Sequence, residues 1–94
     1  MSGRRDTSII RRQARLDAKL LELIKIRVSQ INGCAYCLAM HTRDARTLGE
    51  TDERMHLLNA WREAPVYSVR ERAALGWAGL GRGHYAVDAR PRTR

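Results

Sequence analysis

No apolar run in this chain approaches the roughly 20 residues needed to span a bilayer, which excludes a transmembrane helix. Arg4 and Arg5 form a basic pair near the start, yet no uninterrupted apolar stretch follows them. That argues against a secretory or twin-arginine signal and makes the cytoplasm the expected compartment. Internal repeats and low-complexity tracts are missing apart from a Gly/Arg-rich end, and nowhere does an alternating pattern argue for a strand. Cysteine is scarce, with two residues in a single motif. What is present is a 94-residue chain, 44% hydrophobic and 30% charged, the composition of one small globular domain with a single core.

The net charge of +8 is unevenly placed. Residues 1–15 carry +4, residues 82–94 carry +3, and the stretch between them is close to neutral. Basic ends of this kind attract nucleic acid electrostatically. No aromatic residue interleaves with the N-terminal arginines, however, so the ends read as solvated rather than as a nucleic-acid surface. The organisation expected is a basic N-terminal arm over 1–15, a helical core over 16–80 and a Gly/Arg-rich basic tail over 81–94.

Leu16, Leu20, Leu23, Ile24 and Ile31, with Leu21 and Val28 close by, recur at helical spacing and predict an amphipathic helix from about residue 15 to 30. Asn32-Gly33 breaks it. A second helix is expected from Cys34 to Leu48, with Gly49 as its stop. Thr51 followed by Asp52 and Glu53 reads as an N-cap with acids opposing the helix dipole. That third helix turns Met55, Leu58 and Trp61 inward and must end before Pro65. Ser68-Val69-Arg70-Glu71 is a capping box for a fourth helix, with Ala73, Ala74, Trp77 and Ala78 inward and fraying past Leu80, where glycines accumulate. The fold class is all-α, a small bundle of about four helices. One such layer cannot cover apolar residues on several faces of the first helix, which predicts a homo-oligomer.

The chemistry concentrates in Cys34-Ala35-Tyr36-Cys37, with His41 four residues beyond. On a helix these three side chains share one face, and His41 leans back over Cys37. The two cysteine Cα atoms should lie about 5–6 Å apart, which a disulfide tolerates. A thiol with an ordinary pKa near 8.5 needs roughly 2 kcal/mol to reach 7. A helix N-terminus supplies typically 0.3–1 kcal/mol. A neighbouring imidazole closes the gap by taking the proton, and a carboxylate completes the relay by orienting the ring. Glu22 is the candidate carboxylate, set among Leu20, Leu21, Leu23 and Ile24.

Other uses of the motif fit less well. Zinc requires four ligands, of which Cys34, Cys37 and His41 supply three, with His56 or His84 as the remaining candidates. His56 fits a helix surface equally well, and His84 lies in the weakly patterned end. Haem attachment requires a His directly after the second cysteine, where Leu38 stands, and a thioredoxin-like site requires a preceding strand, where a helix stands. A reactive redox pair without haem, flavin or metal is the expectation.

Glu22, the cysteine pair, His41, Ala45 and Arg46, together with Ala60-Trp61-Arg62-Glu63-Ala64-Pro65 and the segment from Arg70 to Leu75, resemble the AhpD-like alkylhydroperoxidase, or carboxymuconolactone decarboxylase, family over residues 16–78. The resemblance implies an all-α bundle assembled as trimers or hexamers. It implies Cys37 as the peroxidatic cysteine, Cys34 as its resolving partner, and His41 and Glu22 as the proton relay. The activity implied is that of a thiol-dependent hydroperoxidase, with a hydroperoxide as substrate and an external dithiol protein as reductant. Tyr36 stands where founding peroxidases have a His, and after Ala78 the sequence departs from the family pattern. The decarboxylase branch generally lacks the cysteine pair. A non-catalytic helical module using its basic ends on nucleic acid or protein is the alternative from another class.

Overall fold

The computed structural model describes the backbone of residues 2–89 and the side chains of residues 7–79. The described residues are helical, with no strand among them. Helix α1 spans Ser2–Asn32, α2 Ala35–Thr47, α3 Asp52–His56, and α4 Val69–Ala89; a 3-10 turn, Leu57–Ala60, extends α3. Helix α1 packs against both α2 and α4. Helix α1 runs through the segment expected as a basic arm, and its residues 7–17 are exposed. At the other end α4 continues through the glycines to Ala89 rather than fraying at Leu80, while residues 90–94 lie outside the described part.

The junctions after α1 and α2 repeat one device. Gly33 has φ 68°, its N–H donates to the Gln30 carbonyl at 3.2 Å, and the Cys34 N–H donates to the Ser29 carbonyl at 3.1 Å. Gly49, at φ 98°, donates to Arg46 at 2.9 Å, and Glu50 donates to Ala45 at 3.0 Å. Both pairs of bonds are Schellman closures, which require a left-handed residue and favour glycine there. The residue after each glycine leads directly into the next helix. Thr51 caps α3 by accepting the Arg54 N–H at 3.2 Å. The capping box of α4 is complete: Glu71 N–H donates to Ser68 Oγ at 3.1 Å, and Ser68 N–H donates to Glu71 Oε1 at 2.8 Å.

Leu23, Ile26, Ala45, Met55, Leu58, Ala64, Tyr67 and Leu75 form the core, with Leu38, Leu57, Trp61 and Val66 packed on its edge. Met55 and Leu58 point inward as expected. Two helix faces are rotated from expectation. On α1, Leu20, Leu23 and Ile26 are buried, while Leu16 and Leu21 are exposed. On α4, Leu75 is fully buried, whereas Ala73 is exposed and Trp77 is 79% exposed. The capping box explains the second rotation. Glu71 is drawn inward, so the face at 71, 75 and 78 turns to the core, and the face at 69, 73 and 77 turns away.

What draws Glu71 inward is Arg54. Its guanidinium donates to Glu50 at 2.6 Å, to Glu71 at 2.7 Å and to the Val66 carbonyl, while the Tyr67 hydroxyl donates to the Arg54 carbonyl. The Glu50 side chain is 1% exposed. Burial opposes the charge on Arg54, but the hydrogen bonds to Glu71 and Glu50 outweigh it and hold the group firmly protonated. Burial similarly works to raise the Glu71 pKa, yet the bonds from Arg54 and Ser68 prevail and leave it below its ordinary 4.5. Burial pushes the Tyr67 hydroxyl up to about 12. On the surface, Arg46 pairs with Asp52 at 2.7 Å.

Removing the cation leaves Glu50 buried without its partner, which costs about 3–5 kcal/mol. Arg54→Met should therefore lower the urea-unfolding free energy by that order. Since folding depresses the Glu71 pKa, its contribution is complete above pH 4.5 and is lost as pH falls through the folded-state value. The acid-side loss of stability should accordingly be shallower in Glu71→Gln than in the native chain when urea midpoints are compared from pH 6 downward.

Candidate functional site

The site forms where α1 and α2 meet. Cys34 is the N-cap of α2, with extended backbone (φ −97°, ψ 101°), and its Sγ accepts the N–H of Cys37 at 3.2 Å. The Schellman closure at Gly33 is what delivers it there: the residue that terminates α1 also caps α2. Cys34 and Cys37 are joined as a disulfide with Cα atoms 5.3 Å apart, within the expected range. Both are partly buried, whereas Tyr36 between them is 75% exposed.

His41 stands one turn beyond Cys37 on α2, and its side chain is 18% exposed. Across the groove, Glu22 is one turn before buried Ile26 on α1, and its side chain is 12% exposed. Glu22 is therefore not a solvated helix residue: its Oε1 lies 3.2 Å from His41 Nδ1. An ionised carboxylate can only accept, so Nδ1 carries the proton and donates. The other ring nitrogen, Nε2, is thereby left with a free lone pair as a base. Lys25 donates from Nζ to the second Glu22 oxygen at 3.4 Å and supplies local positive charge.

All four residues singled out in the sequence thus come to one end of the α1–α2 pair. Two are covalently joined and two are hydrogen-bonded, and the i, i+4 spacing on α2 aligns the pairs. His56 is exposed on α3 and makes no part of this cluster, and His84 lies outside the described side chains. Two neighbours escaped the sequence reading. One is Lys25. The other is Asp44, whose carboxylate lies with those of Glu22 and the His41 ring in a group of three donor atoms, all within 4.8 Å of one another. The i, i+3 spacing of His41 and Asp44 on one helix was the available signal.

A helical protein with a cysteine pair at a helix start and a carboxylate–imidazole pair beside it has the parts of a thiol redox site. The carboxymuconolactone decarboxylase family model matches residues 4–79, and the chain belongs to that family. An uncharacterized protein, YdfG of Bacillus subtilis (strain 168), is 55% identical over 64 residues, covering 68% of this chain. Those residues are 44% of the relative, so the chain spans less than half of that protein's length.

If Glu22 sets the ring, His41 should show the Nδ1–H tautomer in long-range 15N–1H NMR spectra when neutral. Replacing Glu22 by Ala should shift the proton toward Nε2. An unchanged tautomer in that variant would mean that the carboxylate does not orient the ring.

Proposed function

We propose that this chain is a thiol-dependent hydroperoxidase of the AhpD-like type, with Cys37 as the attacking sulfur and Cys34 as the resolving one. The observation that carries the reading is the Glu22–His41 hydrogen bond across two helices, one turn from the cysteine pair. In the reduced protein, His41 Nε2 takes the Cys37 proton, and Glu22 stabilises the imidazolium that results. The thiolate attacks the outer oxygen of a hydroperoxide, the O–O bond breaks, and the leaving alkoxide collects the proton from His41 as alcohol. Cys37 is now a sulfenic acid. The Cys34 thiol displaces its hydroxyl, releasing water and forming the disulfide.

The return step needs an external dithiol protein as reductant. Its thiolate attacks Cys37 Sγ, and Cys34 leaves as thiolate where the Cys37 amide, at the positive end of α2, already points at its sulfur. A second thiolate of the donor then resolves the mixed disulfide. This chemistry requires no resident metal, flavin or haem, and it suits a reducing compartment such as the cytoplasm. The cysteine pair favours this branch over decarboxylase chemistry, which has no use for a thiol relay.

The test is thiol counting. One equivalent of hydroperoxide should consume both thiols of the reduced protein without covalent dimer formation. Cys37→Ser should abolish that reaction, Cys34→Ser should accumulate a sulfenic acid trappable by dimedone, and Glu22→Ala should slow it about 10²-fold or more. Loss of neither thiol in the native chain overturns the proposal.

The same reading includes assembly. Trp77 and Val69 are 79% and 85% exposed on the outer face of α4, and Ile9, Ile10 and Leu21 are exposed along α1. Apolar surface of this extent favours a homo-oligomer, a trimer or hexamer by family pattern. Light scattering should give a multiple of the chain mass, reduced by Trp77→Ser. A monomer at micromolar concentration would remove this part.

A further inference from the structure

The group of donors around His41 supports more than a relay. We propose that Glu22, His41 and Asp44 bind one divalent metal ion of the Zn2+ class, in competition with the Lys25 ammonium. One donor atom from each residue lies within 4.8 Å of the other two, and Glu22 Oε1 and His41 Nδ1 are already 3.2 Å apart. At the usual Zn–O and Zn–N lengths of about 2.0–2.2 Å, tetrahedral donors sit about 3.4 Å from one another. Closing the remaining gap is a matter of rotating Asp44, which is exposed and shares a helix face with His41 at i, i+3.

Charge points the same way. Two carboxylates that approach so closely repel, most of all where one of them is 12% exposed. Lys25, at 3.4 Å from Glu22 Oε2, relieves this with a single charge, but its side chain is 42% exposed and can swing into water. A dication balances both carboxylates. Two oxygens and one imidazole suit a borderline ion such as Zn2+ better than a thiophilic one, and three protein donors leave the fourth position to water. Coordination through Nδ1 sends that atom's proton to Nε2, and a protonated Nε2 cannot take the Cys37 proton, so a metal held here blocks the relay. That consequence rests on the proposed function, whereas the binding itself does not.

The disulfide form is the protein to test, because its sulfurs offer no thiolate to the ion. Calorimetric titration of the oxidised chain with Zn2+ should show one ion per chain. Asp44→Asn, a surface change that leaves the fold intact, should weaken binding by at least about tenfold, the order lost even when a group hydrogen-bonded to a metal ligand is removed. His41→Ala should abolish binding, Lys25→Met should tighten it, and His56→Ala should leave it unchanged. No saturable binding, or binding indifferent to both Asp44→Asn and His41→Ala, overturns the proposal. Zinc binding in the expected pattern by a protein whose thiols ignore peroxide would keep the metal site and remove the peroxidase reading instead.

Discussion

The left-handed turn at Gly33 is the constraint on which the rest of the structure hangs. It closes α1 by returning two amides to Ser29 and Gln30, and it places the next residue, Cys34, at the head of α2 with no intervening linker. A connection this short fixes the direction of α2 relative to α1 within narrow limits. Glu22, three turns back on α1, and His41, two turns forward on α2, then meet across the pair. A residue with a Cβ at position 33 would pay for the positive φ with strain and loosen the corner, and the carboxylate–imidazole contact would feel it.

The second organising contact is ionic. Arg54 gathers Glu50 from the junction between α2 and α3 and Glu71 from the start of α4, and its backbone carbonyl receives the Tyr67 hydroxyl. A short chain with a small core has few ways of fixing where a long helix docks. Here the docking of α4 is decided by a buried charge that accepts only one arrangement of its two partners. The outward face of Trp77 follows from it. Specificity of this sort comes from the cost of leaving any member of the network unpaired rather than from the net strength of the pairs.

Much of this was legible in the sequence because it is local. The stops at Gly33 and Gly49, the cap at Thr51 and the box from Ser68 to Glu71 depend on residues a few positions apart, and each occurs as read. The cysteine pair at disulfide distance was equally legible, since the i, i+3 spacing brings Cys34 and Cys37 together at the start of α2. Glu22 was found by its setting and by the resemblance, 19 residues from its partner. What eluded the sequence was long-range. Hydropathy assigned Trp77 inward and Leu75 no special place, because the rotation of α4 is set by Arg54, 17 residues away from Glu71. Periodicity likewise started α1 too late, since its first turns carry arginines that a helix tolerates but that no apolar stripe announces.

The sulfur at the head of α2 acts as a helix cap, a task usually given to oxygen. A thiolate accepts an amide hydrogen bond, and the field of a helix start, better than a disulfide sulfur does. Helix α2 is therefore better capped when Cys34 is a thiolate, as it is on leaving the disulfide, than when its sulfur is part of the bond. A closed thermodynamic cycle makes the converse unavoidable: whatever the cap gains as that thiolate forms, the disulfide gives up as resistance to being opened. The corner that shapes the fold thus also aims the backbone amide of one cysteine at the sulfur that would carry the charge when the bond opens.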